Sequence, residues 1–437
     1  MTAHTYRRVA LAYSGGLDTS IIVPWLKEKY GCQVVAFCAD LGQGDELSDL
    51  HDRARRIGAD QVILEDLRRP FLTDYVFPAL KAGALYEGRY LLGTALARPL
   101  IAERQVAAAR ATGCDALAHG CTGKGNDQVR FELTAMALAP ELPIIAPWRE
   151  WDISSREEAL AYAARHDIPV KQTTADLYSR DANLWHMSHE GGLLEDPANP
   201  APESLYRLTA ATAQRPSLPD TIDVTFEAGI PVALDGARLD PVPLVEQLNL
   251  LAGRHGVGRA DLVESRLVGM KSRGVYETPA GTALHEALED LARLVLPHDL
   301  HRTRATMALT LADLIYNGLW FSPLRRSLSA FFDEAMSVAA GTVTLEFHQG
   351  QVRAVARTSP NSLYDNALAS FDMAGYRPKD AEGFIRLFGL PMVATSRQVR
   401  HGDVAPALMK SIPGNTPDES MSSIHTETAE VVLHGND

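Results

Sequence analysis

Residues Ala12, Tyr13, Ser14, Gly15, Gly16, Leu17, Asp18, Thr19 and Ser20 constrain this chain more than any other stretch. They follow an apolar run at 8–13 that reads as a buried strand, and they lead into a helical pattern at 19–30. Two adjacent glycines let the backbone turn sharply and approach an anion with no Cβ in the way. The hydroxyls of Ser14, Thr19 and Ser20, with the free N–H groups at a helix start, form a phosphate-binding set. Asp18 can cap the helix, and its carboxylate can help hold a metal that accompanies phosphates. No Gly-Lys-Ser/Thr follows, so this is not a Walker loop, and the G-x-G-x-x-G spacing of a dinucleotide site is missing. The plain alternative is a strand-to-helix turn with a capping Asp.

The rest of the first 170 residues fits such a loop. Strand-like runs at 33–39, 61–64, 115–119 and 144–146 alternate with helical patterns at 46–57 and 97–111. This rhythm predicts an α/β fold, a parallel doubly wound nucleotide-binding domain over residues 1–170. Pro24 falls past the first turn of the first helix, where it can bend it. Ser155, followed by Glu157 and Glu158, is a capping-box start for a helix to about residue 165. Residues 197–219 read as an extended connection. Strand patterns at 221–233 and 342–357, the latter turning at His348-Gln349-Gly350, then surround helical patterns at 243–254, 282–296 and 299–317. They predict a second, α+β domain over 171–394, followed by a C-terminal tail, 395–437, whose composition suits a loosely packed segment.

Charge narrows the partners. The 437 residues carry 42 Lys and Arg against 55 Asp and Glu, a net charge of −13, so a nucleic acid is not the expected partner. A mean hydropathy of −0.10 and early interruption of every apolar run exclude a membrane bundle. Four cysteines with no C-x-x-C spacing exclude a disulfide scaffold and a zinc knuckle. No targeting segment is visible, and a soluble cytoplasmic protein is expected.

A second motif, His119-Gly120-Cys121-Thr122-Gly123-Lys124-Gly125-Asn126-Asp127-Gln128-Val129-Arg130, follows a strand and opens a helix. Thr122, Asn126, Asp127 and Arg130 offer a hydroxyl, an amide, a carboxylate and a guanidinium. Asn126 and Arg130, four residues apart, share a helical face. That mix suits an amino acid: Arg takes a carboxylate and Asp an ammonium. The alternative is a glycine-rich turn with a solvated Lys124 and an Asp127–Arg130 pair on the helix surface.

The first motif matches the signature of the PP-loop ATP pyrophosphatases, which cleave ATP between its α and β phosphates. With the second motif the chain resembles the argininosuccinate synthase family, from about Val9 to Pro378. The likeness continues through Tyr86-Glu87-Gly88-Arg89-Tyr90-Leu91-Leu92-Gly93-Thr94, Ala146-Pro147-Trp148-Arg149, Asn183-Leu184-Trp185-His186-Met187-Ser188, His255-Gly256-Val257-Gly258-Arg259 and Gly269-Met270-Lys271-Ser272-Arg273-Gly274-Val275-Tyr276-Glu277. The resemblance implies an ATP-dependent ligase that condenses citrulline with aspartate through a citrullyl-adenylate, releasing AMP and pyrophosphate. It implies ATP with Mg2+, no assigned metal-ligand residue, and a homotetramer. It places ATP on residues 12–20, Ala39 and Gly120, and aspartate on Thr122, Asn126 and Asp127. Citrulline falls to Tyr90, Asn126, Arg130, Ser179, Ser188, Glu264 and Tyr276. Ala95 stands where the family often has a citrulline-binding Ser, a contact that Thr94 or water would replace. No side chain stands out as the base for the aspartate amine.

Other residues take plainer readings. Cys121 is a small residue in a tight loop rather than a nucleophile. His119 either touches phosphate or is a satisfied strand-end histidine. Trp320, Phe321, Phe331 and Met336 have core spacing, and Arg53, Arg55 and Arg56 read as a solvated helix face. Two rival functions are a tRNA-modifying PP-loop enzyme, which needs a basic face, and a nucleotide-binding protein that has lost turnover.

Overall fold

The protein is described here from a computed structural model, at residues 5–44, 49–123, 125–153, 155–169, 178–369 and 377–400. Among these residues the chain divides into two compact units, Met1–Tyr364 and Asp365–Asp437.

The first unit opens with a five-stranded parallel sheet of order β3-β2-β1-β4-β5. Its strands are β1 (Arg8–Ala12), β2 (Gln33–Asp40), β3 (Gln61–Asp66), β4 (Ala116–His119) and β5 (Ile144–Ile145). Alternate residues of β1 face opposite ways, as strand geometry requires. Val9 and Leu11 pack with Ile22, Val23 and Leu26 of α1 (Leu17–Tyr30) and Leu50 and Ala54 of α2 (Leu50–Arg56). Ala10 packs with Val106 and Ala109 of α5 (Gly93–Thr112) and Ala135 of α6 (Asp127–Leu138). Both faces are therefore covered, which is why β1 is apolar over Val9–Ala12 and β2 over 34–39. Pro24 lies inside α1 without ending it. The fully buried polar side chain of Gln105 on α5 donates 2.8 Å bonds to the Ala10 and Ala118 carbonyls, tying β1 to β4.

Residues 68–82, for which the sequence yielded no element, form α3 (Arg68–Pro70), a π-helical stretch Phe71–Val76 and α4 (Phe77–Ala82). The helix expected from residue 46 starts at Leu50; residues 45–48 lie outside those described. Ser155 caps α7 (Arg156–Arg165) by accepting from the Glu158 amide.

Beyond α7 come two antiparallel sheets. One has the order β11-β12-β7-β6, from β6 (Ser179–Ala182), β7 (Met187–Glu190), β11 (Arg259–Ser265) and β12 (Lys271–Glu277). Strands β6 and β7, four residues long and mostly polar, were not expected from the sequence. The other has the order β10-β9-β8-β13-β14, from β8 (Asp220–Glu227), β9 (Ile230–Leu234), β10 (Ala237–Arg238), β13 (Gly341–His348) and β14 (Gln351–Thr358). The helices α8 (Pro241–Arg254), α9 (Pro279–Val295), α10 (His298–Tyr316) and α11 (Pro323–Ala335) share its core, and Trp320 and Met336 are buried there. The second unit holds α12 (Asn366–Ala369), α13 (Pro378–Phe388) and α14 (Leu390–Arg400). Helix α14 runs across residue 395, where the tail was expected to begin, and residues 401–437 lie outside those described.

Candidate active site

In the parallel sheet the chain winds one way from β1 to β3 and the other way through β4 and β5, so the carboxyl ends of β1 and β4 diverge. An open α/β sheet binds ligands in that crevice. A cleft of about 520 Å³ lies there and extends to β7, β11, β12 and the end of α10. All the residues expected in the site from sequence line it, except Gly15 and Ser20.

Those two support the loop from behind. Gly15 has φ +77°, and a Cβ there would come within 2.6 Å of Leu50 Cδ1. The buried Ser20 hydroxyl pairs with the Tyr13 hydroxyl at 3.2 Å. The N-cap residue of α1 is Gly16, and Asp18 falls in the first turn of the helix instead of at the N-cap position. The first N–H groups of α1 therefore remain available for an anion. Ser14 and Thr19 hold the turn, their hydroxyls 3.1 Å apart. Arg53 is also not the solvated residue expected: its guanidinium donates to the Gly15 carbonyl at 3.2 Å. Gly120 closes the opposite side, where a Cβ would stand 2.8 Å from the Thr19 methyl.

A chain of charges crosses the floor. Arg98, on α5, donates to Asp127 at 2.9 Å and to Asp181 at 2.8 Å. Arg130 donates to the other Asp127 oxygen at 2.9 Å and to the Tyr316 carbonyl at 2.9 Å. Asp127 is thus no isolated surface partner of Arg130: burial raises its proton affinity, but the two guanidiniums outweigh burial and hold its pKa below the usual range. The second terminal nitrogen of Arg130 has no partner among the described residues, leaving it for a carboxylate. The Thr94 hydroxyl donates to Asp181 at 2.8 Å and meets His186 Nε2 at 3.0 Å, so its proton is already committed. Ala95 is fully buried in the core and is not part of the cleft wall.

The far wall is aromatic and acidic. Tyr276 and Tyr316 donate to the two oxygens of Glu264, at 2.8 and 2.6 Å. Tyr90 stacks on Tyr276 with centroids 4.3 Å apart. The Thr94 amide donates to the Tyr90 hydroxyl at 3.1 Å, so the phenol proton points elsewhere and can serve a ligand. Asn126 Oδ1 accepts from the Leu267 amide at 3.1 Å, linking α6 to the β11–β12 turn.

His119 is the satisfied strand-end histidine, paired with Glu132 at 3.1 Å. Burial pushes the Cys121 thiol well up, which suits a packing residue and not a nucleophile. Sequence reasoning missed Arg98, Asp181, Glu190, Arg266 and Tyr316, all in the wall. Among the described residues no cluster of three or more His, Cys, Asp or Glu is arranged to hold a metal, and no helix is long and apolar enough to cross a membrane. Lys124 lies outside the described residues.

Comparison with known proteins shows the family. Residues 8–169 match the arginosuccinate synthase N-terminal HUP domain, and residues 178–395 match the arginosuccinate synthase C-terminal domain. The chain is 54% identical over 386 residues to argininosuccinate synthase of Pelotomaculum thermopropionicum, covering 88% of this chain and 96% of that one. It is 54% identical over 387 residues to that of Roseiflexus castenholzii, with 88% and 96% covered. Against the chloroplastic argininosuccinate synthase of Arabidopsis thaliana the identity is 53% over 388 residues, with 88% and 78% covered.

Proposed function

The chain belongs to the argininosuccinate synthase family, and from that premise we propose how its cleft joins L-citrulline to L-aspartate at the expense of ATP, the ligation that serves arginine biosynthesis. One observation carries the reading: a single cleft at the strand switch point holds an anion-binding loop, a buried guanidinium with a spare donor, and an acidic aromatic wall.

The loop at 12–20, with Ala39 and Gly120, takes ATP, the triphosphate lying against the α1 amides and the Ser14 and Thr19 hydroxyls, with Gly15 and Ser20 supporting the turn. Arg130 takes the citrulline carboxylate, Glu264 its ammonium, and Tyr90, Tyr276, Ser179 and Ser188 orient the remainder. Thr122, Asn126 and Asp127 receive aspartate. Asp18, a single carboxylate beside the phosphate loop, fits Mg2+, which keeps most of its waters and prefers phosphates plus one or two carboxylates. Bound there, the ion would neutralise charge on the leaving pyrophosphate. The ureido oxygen of citrulline attacks the α-phosphorus, pyrophosphate leaves, and the adenylated carbon is then open to the aspartate nitrogen. The protein supplies position and electrostatics, and no enzyme nucleophile is required.

We also assign the chain to the cytoplasm and to a homotetramer. The four cysteines are free thiols, which suits a reducing compartment. Phe384, Ile385, Leu387 and Phe388 of α13 are 64–75% exposed, an apolar face that suits a second copy of the chain.

The chemistry is tested with citrulline carrying 18O in its ureido group. The account expects the heavy oxygen in the phosphate of AMP. AMP without it would overturn attack through that oxygen.

A further inference from the structure

Aspartate enters the cleft as an ammonium, but only the neutral amine has the lone pair that bonds to carbon. Five carboxylates line the cleft: Asp18, Asp127, Asp181, Glu190 and Glu264. Asp18 stands at the phosphate end. Both oxygens of Asp127 accept from guanidiniums, and both oxygens of Glu264 accept from phenols. Asp181 keeps one oxygen, Oδ1, without a partner among the described residues, but its Oδ2 accepts both the Arg98 guanidinium and the Thr94 hydroxyl, two donors where Glu190 has one. Glu190 differs. Its Oε2 accepts from Arg266 at 2.6 Å, its Oε1 has no partner among the described residues, and its side chain is 43% exposed in the cleft.

Its placement suits a proton acceptor. Ser188 and Glu190 are two apart on β7 and so point to the same face. Ser179 is the register partner of Glu190 on β6. Both serines belong to the proposed citrulline site. On the other side, Arg266 adjoins Leu267, whose amide holds Asn126, the residue proposed to touch both amino acids.

Resting on the ligation reading above, we propose that Glu190 is the base that accepts the proton of the aspartate ammonium as its nitrogen approaches the adenylated citrulline. One proton passes from nitrogen to the Glu190 carboxylate. The nitrogen lone pair then bonds to the activated carbon, and the bond from that carbon to the bridging oxygen breaks with its electron pair going to AMP. The second nitrogen proton leaves to the AMP phosphate as the guanidinium forms.

The surroundings raise the proton affinity of Glu190 in the sense such a role needs. Burial raises it most, Asp127 on α6 and Glu264 on β11 add to that, and Arg266 on the β11–β12 turn opposes; Tyr276 on β12 also faces it.

The test uses the full chain with Glu190→Gln, which keeps the size and an acceptor for Arg266. Rapid quench follows adenylate formation and argininosuccinate formation separately. The expected result is adenylate formation within about threefold of the unaltered chain and ligation slowed about a hundredfold or more. With 3-fluoroaspartate, whose amine gives up its proton more readily, the deficit shrinks. Arg266→Met removes the cation that favours the carboxylate, so the acid limb of the ligation rate moves to higher pH. Unchanged ligation, an equal fall in both steps, or a deficit that 3-fluoroaspartate leaves untouched would overturn the assignment. No adenylate in the unaltered chain would overturn the ligation reading, and the base with it.

Discussion

His186 lies fully buried beside α5, its ring so close to Gly93 that a Cβ on that glycine would come within 2.3 Å of it. Burial pushes its pKa down to about 4, so the ring is neutral at neutral pH. The folded pKa is below the unfolded value of about 6.5, so protonation favours the unfolded chain. The resulting stability is fully present above about pH 6.5 and is lost as pH falls toward 4. The shift corresponds to about 3 kcal/mol. Thermal melts across that window should show the loss, and His186→Gln, which keeps a donor for Thr94 but does not titrate, should flatten it. At this scale the sequence was legible where chemistry is local. The glycines and hydroxyls of residues 12–20 are contiguous, so their joint purpose can be read directly. Arg98 could not be found that way. It sits in an Ala-rich helix and looks like any solvated arginine, because its partners Asp127 and Asp181 are 29 and 83 residues away. Glu190 is hidden for the same reason, with Arg266 76 residues distant.

Among the elements, the connection at 197–219 depends on one side chain from β12. Glu277 is fully buried and accepts from the amides of Arg207, Leu208 and Thr209 at 2.7–2.8 Å, from the Thr209 hydroxyl, and pairs with His189. Burial raises its pKa, but these donors outweigh burial and leave it below the usual range. Its stabilisation is therefore present above the unfolded carboxylate pKa and fades as pH drops below it. Glu277→Ala strands several buried donors and should cost about 3–5 kcal/mol, read as a lower urea midpoint with faster hydrogen exchange at 206–210. An unchanged midpoint would mean that the connection is held by other contacts. The parallel strands were legible because both faces are covered and their central residues form apolar runs. The hairpin β13–β14 was legible because Val343, Leu345 and Phe347 of β13 alternate into the core and Val352 and Ala354 of β14 pack against it. Strands β6 and β7 were not, since they read Ser-Arg-Asp-Ala and Met-Ser-His-Glu, and β7 pairs on its other edge with the distant β12. Residues 68–82 were not, because Pro70 and Pro78 interrupt an apolar run that still continues as helix.

For the whole molecule, the exposed face of α13 is the feature least suited to a lone chain. Light scattering at micromolar concentration should give four copies, and Phe384→Asp with Phe388→Asp should reduce that number while leaving circular dichroism unchanged. A monomer before substitution would remove the tetramer from the account. On the reading proposed above, three substrates meet in one cleft, at the switch point of one sheet and across to the neighbouring antiparallel strands. The most direct measurement of that reading is a mass-spectrometric balance of the chain incubated with ATP, Mg2+, citrulline and aspartate, with each amino acid omitted in turn. The account predicts argininosuccinate, AMP and pyrophosphate in equal amounts, with no argininosuccinate when either amino acid is left out. ADP and phosphate as products, or pyrophosphate released at the same rate without citrulline, would contradict it.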